Sequence, residues 1–412
     1  MNRERKLCEA VLLSFCDPLP HEFQRLLHLS GKEWQGLLHW LDISGLALYF
    51  FDRLAELQHD GILPAATRRR LQQNLIDNTD RTRGMIMESV AIQVEFQNLG
   101  LSYATLKGFS LCPTSVPRPE LRHQFDLDFL ITEKSVPEAR GILERRGYRL
   151  YAISGKSWEF KMNERPGISI KDLYKDHIGR SVELHIEASG QAQQTRLERV
   201  VEREFYGINM PILSPTDLFL GQGLHVFKDV CSAFSRASHL LEFRRHVLTR
   251  HEDDTFWREL QLAARNDRRA SLGLGVVTYL ISSVMEEFAP AALTEWTVDT
   301  LPQSVRLWVD LYGRRTVFGK APGSKLYLLL QQELESAGLP ARHSLKSALM
   351  PSRLPPFVVQ ASPNETLSIC IARYRLQLRF LFGRLRFHVI EGLRYIREGY
   401  RWRQHVSRLT RQ

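Results

Sequence analysis

Apolar residues recur at helical spacing through the first hundred positions, alternate residue by residue over the next ninety, and return to helical spacing afterwards. Residues 1–99 read as helices: Trp34, Leu37, Leu38 and Leu41 form one stripe, Ile86, Val90 and Val94 another, with Gly100 as a stop. Tyr103–Leu106 reads as a short strand ending at Lys107-Gly108, followed by a segment holding Pro113, Pro117 and Pro119. In Phe125–Ile131, Phe125, Leu127, Phe129 and Ile131 alternate with Asp126 and Asp128, the period of a half-buried strand. Both carboxylates therefore leave the same face, roughly 7 Å apart along the backbone. A helix is expected from about Val136 to Arg146, closed by Gly147, with further strands at Tyr148–Ile153, Trp158–Met162 and Ile168–Ile170. In Ser181–Glu187, Val182, Leu184 and Ile186 alternate with Glu183, His185 and Glu187.

The pattern gives an α+β module between helical regions. We divide the chain into an N-terminal helical region (1–99), the module (100–192), a helical domain (193–300) and a C-terminal helical region (301–412). The third part includes a helical hairpin through Leu218–Phe227 and Leu240–Leu248. Ala270–Met285 is too short to span a bilayer and reads as a buried helix. Five prolines within 340–364 mark a linker or irregular wrap. The last helix carries Leu378, Phe382, Leu385, Val389, Leu393, Ile396 and Tyr400 on one face.

Composition refines this picture in three ways. Apolar content of 43% and charged content of 25% are those of a globular protein rather than a disordered or membrane-spanning one. The five cysteines follow no ligand or disulfide spacing, and no secretion signal opens the chain, so a reduced, cytoplasmic protein without structural zinc is expected. The net charge of +10 is unevenly spread: from Thr366 onward eleven arginines face only Glu391 and Glu398, which leaves the main body near neutral. Three partners suit that basic end: the protein's own body, with arginines reaching to water; RNA, through phosphate contacts and stacking on Tyr395, Tyr400 and Trp402; or an anionic membrane surface.

The candidate chemistry lies in the module. Leu106-Lys107-Gly108 follows one strand, Asp126-Leu127-Asp128 lies on a second, and Glu183-Leu184-His185 lies on a third. Two acids on one strand and a third on a neighbour can hold a pair of divalent cations. With Arg122 four residues before Asp126, these motifs resemble the uncharacterised bacterial nucleotidyltransferase family of the polymerase-beta-type nucleotidyltransferase superfamily. The resemblance implies a short mixed sheet with helices. It also implies that Asp126, Asp128 and Glu183 bind two Mg²⁺ ions (or Mn²⁺), with Glu183 completing the catalytic-metal site or taking the acceptor proton. Lys107, Gly108 and Arg122 would meet the triphosphate of an NTP such as ATP, and His185 would orient the acids. His225 and Lys228 fall where a helical region could close over the nucleotide.

The leading expectation is an Mg²⁺-dependent enzyme that moves a nucleoside monophosphate from an NTP to an acceptor and releases pyrophosphate. The superfamily's usual Gly-Ser ahead of the acids is absent, which leaves a degenerate binding or regulatory protein as one alternative. A glycosyltransferase with a metal-binding Asp-x-Asp pair is another, but it would need alternating strands and helices before the acids, where residues 1–99 read as helices.

Overall fold

The computed structural model describes residues 3–162, 172–175, 180–187, 195–319, 321–340, 344–350, 355, 358 and 365–409. Among the described residues seven strands form one mixed sheet: β1 (Tyr103–Leu106), β2 (Asp126–Thr132), β3 (Arg149–Ser154), β4 (Ser157–Lys161), β5 (Ser181–Glu187), β6 (Val201–Phe205) and β7 (Ile208–Ile212). Their order is β3-β4-β5-β2-β1-β7-β6, with β2–β5 and β1–β7 parallel and the other neighbours antiparallel. Helices make up most of the rest, so the architecture is α+β with the sheet set into a largely helical protein. No strand precedes Tyr103 among the described residues, which removes the alternating lead-in that a glycosyltransferase would need.

Alternation along β2 decides what each face of the sheet meets. Leu127, Phe129 and Ile131 point to one side, into a core shared with the long helix Ala65–Asn98 and the helix Val136–Arg145. Phe96, Tyr103 and Phe129 pack edge to face there, with ring centroids 5.2–6.1 Å apart. The opposite side carries Asp126, Asp128 and Leu130. Leu130 joins a second, larger core that includes helical residues from Leu7 to Trp402. The acids therefore look into the seam between the sheet and the helical body, where Pro215–Val230 and Ala237–Thr249 pack.

Several details differ from the sequence pattern. Phe125 precedes the strand and lies beneath the Arg81 guanidinium, 4.4 Å from its ring centroid. Val94 is exposed, and the buried face of its helix runs instead through Ile92, Gln93 and Phe96. The region after Thr195 is not all helical, because β6 and β7 form a hairpin that extends the sheet. Its turn, Tyr206-Gly207, has φ of 47° and 84°, the double positive φ of a two-residue hairpin turn. The strand expected at Ile168–Ile170 and most of the proline-rich stretch 340–364 lie outside the described residues. The largest difference is the last helix, Leu367–Leu409, whose apolar stripe does not pack on the body. The helix is anchored through Gln377, Glu391, Glu398 and Trp402, while Leu378, Phe382, Leu385, Val389, Leu393, Ile396 and Tyr400 face solvent. Of the three partners that suit the basic end, the protein's own body meets the polar and Trp402 face of this helix and leaves the stripe uncovered.

The helical body also buries a neutral histidine. His246 Nδ1 lies 2.7 Å from Gln222 Oε1, which also accepts from Ser115 Oγ at 3.0 Å. Burial, reinforced by Arg250, pushes the His246 pKa from 6.5 down to about 3. The unfolded chain therefore takes up this proton first. The stabilisation is complete above pH 6.5 and is lost as pH falls towards 3. Urea midpoints measured along that interval should decline, by up to about 1.4 kcal/mol per pH unit from this histidine. A His246→Gln variant should show a flatter decline.

Candidate active site

The parallel pairing of β2 with β5 sets the site. In this register Asp126 stands beside Ser181, Asp128 beside Glu183 and Leu130 beside His185. Period-2 geometry then puts Asp128, Glu183 and His185 on one face, and their ligand atoms all lie within 4.8 Å of one another. His185 Nε2 is 2.8 Å from Asp128 Oδ1 and 3.4 Å from Glu183 Oε2. Asp126 is one pleat further along and is not part of that tight group. It lines a cleft of about 300 Å³ together with Asp128.

Lys107 comes from the turn after β1 and donates from Nζ to Asp128 Oδ1 at 2.8 Å. The backbone there is unusual: Lys107 has φ of 49° and ψ of −154°, a region costing on the order of 1–3 kcal/mol for a residue with a Cβ. Gly108 follows with φ of 42°, and a Cβ on it would collide with the Gln124 side chain. That side chain instead crosses the turn, and its Nε2 donates to the Asp126 carbonyl at 2.7 Å. Gly108 thus serves the close approach of two chain segments.

Electrostatics separates the two aspartates. Asp128 is almost fully buried, and burial alone would raise its pKa. The His185 hydrogen bond and the Lys107 charge outweigh that and bring it down to about 2. In Asp126, burial and the neighbouring Asp128 charge dominate and push the value up. Glu183 is lowered, first by the hydrogen bond from His185. Burial disfavours the charged His185 and Lys107, yet their carboxylate partners raise both. The centre is one ionised carboxylate held between the Lys107 ammonium and the His185 imidazole, with a second acid alongside whose charge is costly.

The remaining expected residues divide. Arg122 is mostly withdrawn from solvent and is held by a carboxylate of the helical body. Its Nε donates to Glu242 Oε1 at 3.2 Å, an oxygen that also accepts from Tyr49 at 2.9 Å. His225 lines the cleft, whereas Lys228 is exposed and does not. Glu187 accepts from the Arg196 and Leu197 backbone amides and holds the chain after β5. A second, more apolar cavity of about 210 Å³, bounded by Leu106, Leu130, Leu213 and Leu218, meets the first at Lys107, Arg122, His225 and His239.

Asp229 and His239, on the wall opposite the acids, were not anticipated. His239 Nδ1 is 2.6 Å from Asp229 Oδ2, and the His225 and His239 rings are 5.1 Å apart. The three offer ligand atoms within 4.8 Å of one another. Burial, then the His239 charge, brings His225 down to about 3. The i, i+4 spacing of His225 and Asp229 was a visible sign that they share a helical face. Nothing local connects His239 to them.

A mixed sheet bearing an Asp-x-Asp strand in parallel register with a Glu-x-His strand, beside a Lys-Gly turn, is a nucleotidyltransferase-type arrangement. Residues 30–285, more than half of the chain, match the family of uncharacterised nucleotidyltransferases, and the chain belongs to that family. Among solved structures, an antigenic nucleotidyltransferase-like protein from Paracoccidioides brasiliensis is 15% identical. The match covers 52% of this chain and 97% of that one, at a TM-score of 0.30. No curated protein matches the chain.

Removing the Arg122 charge tests how the cleft is held. Arg122→Met strands the buried Glu242 carboxylate, and urea denaturation should show a loss of about 3–5 kcal/mol. Pairing it with Glu242→Leu should restore most of that stability.

Proposed function

We propose that this protein transfers a nucleoside monophosphate from an NTP to an acceptor and releases pyrophosphate. The observation that carries this reading is the convergence of Asp128, Glu183, His185 and Lys107 beside a polar cleft that Lys107, Asp126 and Asp128 line. The oxygen-rich donor set and the ionised Asp128 fit a hard divalent cation, so Asp126, Asp128 and Glu183 are the residues that would hold Mg²⁺ or Mn²⁺. When bound, such ions would neutralise the triphosphate and lower the pKa of the acceptor group.

The chain's own groups have separable tasks. Lys107 carries a positive charge into the cleft and can turn from Asp128 to a phosphate oxygen. His185 fixes the Asp128 and Glu183 carboxylates in one orientation, as second-sphere imidazoles commonly do. Arg122, locked to Glu242, sets a fixed ion pair at the joint between the two cavities. The apolar cavity suits a base or the apolar part of an acceptor, while the polar cleft suits phosphates. Across the cleft, the Asp229–His239 pair is placed to accept or orient an acceptor proton.

ATP radiolabelled on the α-phosphate should mark an acceptor, whereas the γ-label should leave with pyrophosphate. Label reaching the acceptor only from the γ-position would overturn nucleotidyl transfer. Asp128→Asn should reduce transfer by at least about a hundredfold, since it removes the best-ionised carboxylate of the cluster. In thermal denaturation, Mg²⁺ with NTP should raise the midpoint of the wild type and leave that of Asp128→Asn unmoved. A ligand-induced shift retained by Asp128→Asn without any transfer by the wild type would instead favour a binding protein.

A further inference from the structure

The last helix presents a surface that the cleft does not explain. Along Leu367–Leu409, Leu367, Leu378, Val389 and Tyr400 recur at an interval of eleven residues, and columns beginning at Ile371 and Tyr374 repeat it. Eleven residues span three turns at 3.67 per turn, close to the natural 3.6, so the columns stay together as one nearly straight stripe. It runs about 50 Å at the standard helical rise. Its residues are 49–78% exposed, including Phe382 at 69% and Leu393 at 65%.

Charge is arranged beside this stripe with one sign. On a helical projection Arg375, Arg379, Arg386 and Arg397 lie about 60–100° from the Leu378 column, along one edge of it. The two acids, Glu391 and Glu398, are turned inward: Glu391 accepts from Ser324 Oγ at 2.8 Å, and Glu398 is 7% exposed. Arg375, Arg379, Arg384, Arg386 and Arg408 make no ion pair with any described residue. The outward surface of the helix is therefore apolar and cationic, with no carboxylate.

We infer that this helix lies on an anionic lipid surface, its stripe in the headgroup boundary and its arginines on lipid phosphates and carboxylates. A second copy of the helix laid antiparallel would set arginine edge against arginine edge, and in either direction the pair would gather arginines with no outward carboxylate to answer them. RNA would satisfy the arginines but leave some 50 Å of aliphatic and aromatic stripe in water. An interfacial bilayer site satisfies both halves. No described helix is long and apolar enough to cross a membrane, so attachment is in the plane of the surface.

Flotation of the full chain with phosphatidylcholine vesicles, with and without about one third phosphatidylglycerol, tests this inference. Binding is expected only to the anionic vesicles and should fall with added salt. The double substitution Phe382→Asp/Leu393→Asp should weaken partitioning about tenfold or more, and neutralising Arg375, Arg379 and Arg386 to Gln should weaken it roughly fivefold per residue. All these positions face solvent, so helicity and thermal midpoint should be unchanged. Any of three results would overturn the proposal: no binding to anionic vesicles, equal binding to neutral ones, or a solution dimer that Phe382→Asp/Leu393→Asp converts to monomer. So would salt-sensitive RNA binding by a wild type that leaves anionic vesicles unbound.

Discussion

The site depends on keeping one buried carboxylate charged. Asp128 lies in the seam between sheet and helices, where an unpaired anion would be prohibitively costly. It stays ionised because Lys107 Nζ and His185 Nε2 both meet its Oδ1 at 2.8 Å. Much of the surrounding construction serves those two contacts. The strained Lys107 backbone aims the ammonium, Gly108 lets Gln124 brace the turn, and the β2–β5 register delivers the imidazole. On the proposed reading, a cluster balanced this way would suit incoming cations and phosphates.

Beyond that pair, the cleft is a meeting of two differently organised halves. The sheet side is rigid and reads by alternation: Leu127, Phe129 and Ile131 lock one face, leaving the other free for chemistry. The helical side contributes polar groups with fixed partners: Glu242 accepts from Tyr49 and, across the seam, from Arg122, and Asp229 meets His239. Such pairs keep a polar wall from collapsing and fix which donors remain turned towards a ligand.

Legibility in the sequence followed the range of the forces involved. Strand alternation is local, so β2, β5 and the shared face of Glu183 and His185 could be read directly, and Lys107-Gly108 was placed at the right strand end. The partner of Arg122 could not, because Glu242 is distant in sequence and only the packing of Ala237–Thr249 brings it near. Asp229 and His239 escaped for the same reason. The β6–β7 hairpin was missed although Tyr206-Gly207 carries a turn signal, because Val201–Phe205 is a mostly charged edge strand with a weak apolar pattern. The final helix shows a different limit: amphipathicity shows that an apolar surface exists, and the structure was needed to show that the body does not cover it.

The parallel pairing of β2 and β5 carries a constraint on how the gene can change. The connection before Ser181 can gain or lose residues while the strands remain aligned. A single codon inserted or deleted between Ser181 and Glu183 is another matter. It would turn Glu183 and His185 to the far side of the sheet and bring an aliphatic neighbour up against Asp128. Length variation among descendants of this chain should therefore accumulate outside that short interval and be purged within it.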